Sequence, residues 1–171
     1  MNIKDILLKD VEYSHRLAIP DSRQNLRQLA IVLAHSGDSW FWGLGLGLAW
    51  FLGSPSWRDR INIYLLGIFV TALIVLVLKF AIRRPRPTSE WGTIYRKTDP
   101  HSFPSGHAAR ATMLAIVGIG LGPPALGLFL AFWAPLVGLA RIALGVHYIS
   151  DVVVGMGVGG LFWGRVWWSF I

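Results

Sequence analysis

Cysteine is absent from the 171 residues, which rules out disulfides and any thiolate nucleophile. Acidic side chains are scarce, nine Asp and Glu against sixteen Lys and Arg, and charged residues of both signs make up only 15% of the chain. The formal net charge of +7 would suggest nucleic acid in a soluble protein, but here the charge collects in polar connections between apolar runs. Anionic lipid headgroups are then the nearer partner, and nucleic acid is not expected. Residues 1–20 carry mixed charges (Lys4, Asp5, Lys9, Asp10, Glu12) and lack the apolar core of a cleavable signal peptide, so an uncleaved span is expected to direct insertion. Internal repeats and low-complexity tracts are also missing.

What is present is apolar. Hydrophobic residues make up 54% of the chain and mean hydropathy is +0.52, too greasy for a soluble domain of this size. The expectation is an all-α integral membrane bundle forming a single domain over 1–171, with about five transmembrane helices and an N-terminal amphipathic surface helix. That amphipathic helix is predicted at 22–35, where Leu26, Leu29, Ala30, Leu33 and Ala34 recur opposite Arg23, Gln24, Arg27 and Gln28. Packing of the same face against the bundle fits the pattern equally. Crossings are predicted at 39–53, 61–82, 107–121, 125–144 and 148–170, with residues 54–60 as a tight connection. Gly43, Gly45 and Gly47 permit close helix contact in the first. Gly155, Gly159, Gly160 and Gly164 form two small-xxx-small pairs in the last, which fit packing within one chain or between two copies. Several Trp at run edges (Trp40, Trp42, Trp57, Trp167, Trp168) fit an interfacial belt.

Residues 83–104 form the longest polar segment, opened by Arg83-Arg84-Pro85-Arg86-Pro87, whose prolines cannot continue a helix. Five crossings put the end of the second span, the start of the third, the end of the fourth and the start of the fifth on one side. Lys79 and Arg86-Pro87 therefore face Pro104-Ser105-Gly106-His107 and the segment from Arg141 through His147 to Asp151. Intramembrane charges are costly and rarely lack a job. His147 and Asp151 stand four residues apart, so on a helix they share a face. Gly145 is expected to end the helix that carries Arg141. Ser105 can cap the third span, and a helix start beside a glycine is a ready anion site, although taken alone it reads as an ordinary capped helix.

In this order, K-x-x-x-x-x-x-R-P, P-S-G-H and R-x-x-x-x-x-H-x-x-x-D resemble the three-part signature of the type 2 phosphatidic acid phosphatase superfamily. The match runs from Lys79 to Asp151, with Ala140 where the family usually has serine. Residue chemistry leads to a similar scheme. Lys79, Arg86 and Arg141, with Ser105, Gly106 and the helix start, make an anion cradle suited to a phosphoryl group. Such a cradle repels divalent cations, and with Asp151 as the only expected carboxylate neither a metal nor another cofactor is predicted. Asp151 can accept a ring N–H of His147 and leave the other nitrogen as nucleophile, while His107 serves as acid to the leaving alkoxide. The resemblance implies the same roles, with a phosphohistidine on His147 that water cleaves.

The expected partners are the bilayer and a membrane lipid phosphate: phosphatidylglycerol phosphate, phosphatidate, or a polyprenyl phosphate or diphosphate. Arg58, Arg60 and Arg165 lie on the face opposite the site, which favours a site on the extracytoplasmic side of a prokaryotic cytoplasmic membrane. Competing readings are a lipid-binding or transport protein without catalysis, and a vanadate-dependent haloperoxidase-like enzyme. Arg110 reads as a packing or solvated residue, Asp38 and Glu90 as loop or capping residues, and Tyr148 and Trp91 as interfacial packing.

Overall fold

The computed structural model describes residues 2–89 and 99–168. Glu90, Trp91 and the side chains of Arg165, Trp167 and Trp168, on which expectations fall, lie outside the described residues. Seven helices follow one another among the described residues: α1 Ile3–Leu17, α2 Gln24–Ser36, α3 Ser39–Leu52, α4 Pro55–Ile82, α5 Gly106–Leu121, α6 Pro124–Ala143 and α7 Ile149–Trp168. Among the described residues there is no strand, only an isolated bridge between Pro85 and His101.

Helix α5 lies at the centre, packed against α4, α6 and α7. Its residues allow this: Ala108, Ala109, Ala111, Met113 and Leu114 are almost fully buried. Glycines on α7 let the two backbones meet. A Cβ at Gly155 would come within 2.5 Å of the Ser105 carbonyl oxygen, and one at Gly159 within 2.1 Å of that of Ala109. The glycines of α3 behave differently from the expectation of close contact, since a Cβ at Gly43, Gly45 or Gly47 would meet nothing within 4 Å. Helix α3 leans on α4 along one side and buries no residue fully.

The predicted connection at 54–60 is instead the first turns of α4. Ser54 is the N-cap and Pro55 takes the first turn, where its missing N–H costs nothing. Arg58 reaches back to the carbonyls of Trp50 and Phe51, satisfying acceptors that the end of α3 leaves open. Helices α4 and α6 are each long and apolar enough to cross a membrane, while α3, α5 and Ile149–Leu161 are shorter apolar helices. Outward positions on α4 and α6 are large and apolar, among them Leu66, Phe69, Leu73, Phe80, Phe129, Phe132 and Leu139. So continuous an exposed apolar surface suits hydrocarbon rather than water.

Helix α2 packs on α6, burying Ala30 and Ala34 against Ala140, Leu144 and Val146 while Leu26, Leu29 and Val32 stay exposed. Hydropathy does not mark α1, yet α1 is anchored. Ser14 Oγ accepts the Ile149 N–H at 2.9 Å, and Asp10 accepts the Ser150 N–H at 3.0 Å and the Ser150 hydroxyl at 2.5 Å. Two donors that the start of α7 would otherwise leave open are thus capped by α1.

Candidate active site

Helices α3 and α5 start, and α4 ends, around a cavity of ≈ 640 Å³ that His147, between α6 and α7, also lines. Lys79 is in the last turn of α4, buried, with Arg83 closing the helix in the left-handed region at φ 53°. Beyond it Pro85 prevents further helix, and Arg86 turns inward until only 3% of it is exposed. Arg141, 1% exposed, ends α6, and its charge acts on Lys79, Arg86, His107 and His147. Gly145 then turns the chain at φ +64°, a conformation only glycine adopts without strain, and Ser89 Oγ donates to its carbonyl at 2.7 Å. Ser105 is fully buried at the N-cap of α5. Its Oγ accepts the Ala108 N–H at 3.4 Å, and its own N–H donates to the Asp151 carbonyl at 2.9 Å.

The cradle grips an oxyanion from its own chain. Asp99 Oδ2 accepts from Lys79 Nζ at 2.5 Å and from Arg86 Nη2 at 2.7 Å, so two cations converge on one oxygen. Arg86 Nη1 meanwhile lies 3.2 Å from His147 Nε2 and 2.9 Å from the Val146 carbonyl. A guanidinium can only donate, so Nε2 is the acceptor and carries the lone pair. Burial holds the His147 imidazolium well below its ordinary range, and the charges of Arg86, Arg141 and Lys79 push the same way against the Ser102 backbone. His147 is therefore neutral at pH 7.

Asp151 is less closely joined to His147 than the four-residue spacing suggests. The two approach at 3.5 Å between Nδ1 and Oδ2, beyond a good hydrogen bond. Asp151 is fully buried and is held instead by Arg84 Nη1 at 2.7 Å and by the Tyr148 N–H at 2.9 Å. Arg84 continues to Asp10 at 2.7 Å and lies 4.0 Å above the Tyr148 ring, so Tyr148 packs against a cation. Asp151 is not the sole carboxylate here, because Asp99 and Asp38 join it. Asp38 had been expected as a loop or capping residue, but it makes no side-chain cap to α3 and bonds His107 Nε2 at 2.7 Å and His35 Nδ1 at 2.9 Å. Despite burial, which opposes ionisation, those two imidazoles hold the Asp38 carboxyl below the usual carboxylate range. Arg110 is a packing residue beside the cavity, its Nε and Nη2 donating to the Gly37 carbonyl at 3.0 and 2.6 Å.

All eight residues expected from sequence thus gather at one end of the bundle, six of them well buried and Gly106 and His107 half-buried on the cavity wall. Residues 60–171 match the profile of the PAP2 superfamily. The chain belongs to that superfamily. A mycobacterial relative, the Mycobacterium tuberculosis protein named decaprenylphosphoryl-5-phosphoribose phosphatase, is 36% identical over 129 residues, covering 74% of this chain and 71% of its own. Two solved structures share the fold. The transmembrane PAP2-type phosphatidylglycerolphosphate phosphatase of Bacillus subtilis superposes with TM-score 0.76 at 23% identity, covering 95% of this chain and 84% of its own. Aquifex aeolicus LpxE does so with TM-score 0.71 at 24% identity, covering 95% and 94%. The residues that sequence reasoning missed divide along the PAP2 match. Arg84 and Asp99 fall inside it, whereas Asp10, His35 and Asp38 precede residue 60. Ala140, where the family usually has serine, is buried in the apolar seam with α2, among Ala30 and Ala34.

Proposed function

We propose that this protein is an integral membrane lipid phosphatase that works through a phosphohistidine on His147 without a metal. The observation that carries this reading is the convergence of Lys79 and Arg86 on a single oxygen, with Arg86 also touching the lone-pair nitrogen of a buried neutral histidine. A phosphoryl group displacing Asp99 from that grip would have its phosphorus facing His147.

In the first step the Nε2 lone pair forms the N–P bond while the ester P–O bond breaks. The departing alkoxide takes a proton from His107, and the cradle of Lys79, Arg86, Arg141, Ser105 and Gly106 offsets charge on the equatorial oxygens. In the second step water attacks phosphorus from the side the alcohol has left and yields its proton to His107. The N–P bond breaks, inorganic phosphate leaves, and both histidines regain their starting forms. Asp151, fixed by Arg84, faces the positive charge that His147 acquires during transfer.

The apolar wall beside the cradle, Val75, Leu76 and Phe80 of α4, suits a substrate whose tail stays in lipid. The preferred class is a lipid phosphomonoester. The mycobacterial relative puts polyprenyl-linked sugar phosphates beside phosphatidylglycerol phosphate, phosphatidate and polyprenyl phosphates or diphosphates. Five crossings, α3 to α7, form a single domain with the site on the extracytoplasmic side. The test is phosphate release from these lipids by purified protein, with and without chelator. The expected result is chelator-insensitive turnover of at least one class, lost in His147→Ala. Binding without release, or release by His147→Ala at the unmodified rate, would end this reading.

A further inference from the structure

The carboxylate of Asp38 is used in an unusual way. It occupies the N-cap position of α3, where an aspartate ordinarily accepts an N–H of the first turn, and it makes no such bond. Its oxygens instead collect three side-chain partners: His107 Nε2 at 2.7 Å on Oδ1, and His35 Nδ1 at 2.9 Å with Trp40 Nε1 at 3.2 Å on Oδ2. Forgoing a stabilising cap points to another use for the side chain. Gly37, whose Cβ would lie 2.9 Å from Val137 and 3.4 Å from the His107 ring, allows the close approach, and Arg110 clamps its carbonyl.

The geometry points to Asp38 as the positioning residue of His107: Oδ1 fixes the ring with Nε2 toward the α2–α3 connection and leaves Nδ1 to deliver the proton to the leaving oxygen. The inference rests on the acid role proposed above for His107. Charge supports it. Positive groups act on His107 from its own helix (Arg110) and from α6 (Arg141), and Asp38 supplies the opposing negative charge from the α2–α3 connection, with half-exposed His35 behind it. An imidazole among arginines needs such a partner to carry the proton it must donate. Asp38 touches neither phosphorus nor the leaving oxygen. It acts through His107.

The experiment compares two leaving groups. A short-chain phosphatidate expels an alkoxide that needs a proton, whereas p-nitrophenyl phosphate expels a phenolate that departs without one. Asp38→Asn is expected to lose ~10 to 100-fold in kcat on the phosphatidate and less than ~3-fold on the aryl ester, with KM held, because only the proton-dependent step suffers. Asp38→Glu, which keeps the charge, should recover part of the loss. Equal losses on the two substrates, with His107→Ala remaining selective for the alkyl ester, would overturn the inference alone. A His107→Ala variant that is itself unselective would overturn the acid role and the inference with it. Whether or not Asp38→Asn folds, ring-nitrogen NMR of histidine-labelled wild-type protein in detergent decides the tautomer. With the His107 signal assigned through His107→Gln, a proton on Nε2 is expected, and a neutral ring protonated on Nδ1 would refute it.

Discussion

His147 ties catalysis to acid sensitivity at the scale of one residue. Its folded pKa lies below the unfolded value, so the unfolded chain binds the extra proton first as pH falls. Stability from this residue is complete above about pH 6.5 and is lost below it, at up to ~1.4 kcal/mol per pH unit. Thermal unfolding in detergent from pH 7.5 to 5 should therefore fall less steeply for His147→Gln than for the unmodified protein. Activity, which needs the neutral imidazole, should keep its acid limb below pH 6.5. Arg84 is a second single-residue case. Asp151 has no contact with water, so Arg84→Ala strands a buried carboxylate and should cost about 3 kcal/mol, read as a lowered unfolding temperature. The three cations and both histidines of the signature could be found from spacing. Asp151 could too, but the carboxylates outside the signature could not, since Asp10 meets Arg84 across 74 positions and Asp38 meets His107 across 69, and no local pattern encodes so distant a pairing. Arg84 and Arg86 each precede a proline, and only the count from Lys79 separates the one that meets His147 and Asp99 from the one that meets Asp151.

Among the elements, glycine content misleads unless the partner surface is known. Gly159 and Gly45 both sit in apolar helices, but a methyl group at Gly159 would strike the α5 backbone whereas one at Gly45 would meet open space. Gly159→Ala is expected to destabilise by ~1 to 3 kcal/mol through separation of α5 from α7. Gly45→Ala should be neutral or stabilise by up to ~1 kcal/mol through helix propensity, and the same unfolding assay separates the two. Helix ends were legible where a proline or glycine marks them, as at Pro85, Gly122 and Gly145. The start of α4 lies ahead of the crossing predicted at 61–82, because its first turns carry Arg58, Asp59 and Arg60 and hydropathy does not mark them. In the fold those turns are helical, with Arg58 bonded back onto α3. The alternation that brings His107 and Arg141 together also brings the start of α3, and with it Asp38, to that end.

For the whole molecule, helix order and charge distribution bear on which way the site faces. Ser56, at the start of α4, and exposed Thr88, beyond its end, lie at opposite ends of the bundle, and the chain has no cysteine to remove. Single cysteines at these positions in intact cells should give labelling by an impermeant maleimide at Thr88→Cys and protection at Ser56→Cys if the site faces outward. The reverse pattern would place it on the cytoplasmic side. The class of fold was readable from hydropathy because lipid demands long apolar helices whatever the chemistry. How α1 docks was not, because it depends on two side chains meeting the start of α7. That latch has a bearing on biosynthesis. Asp10 and Ser14 leave the ribosome well before the amides of Ser150 and Ile149 exist, 140 and 135 positions further on, so α1 waits for its binding place until the start of α7 is made. The α1 latch can close only after five other helices have been made.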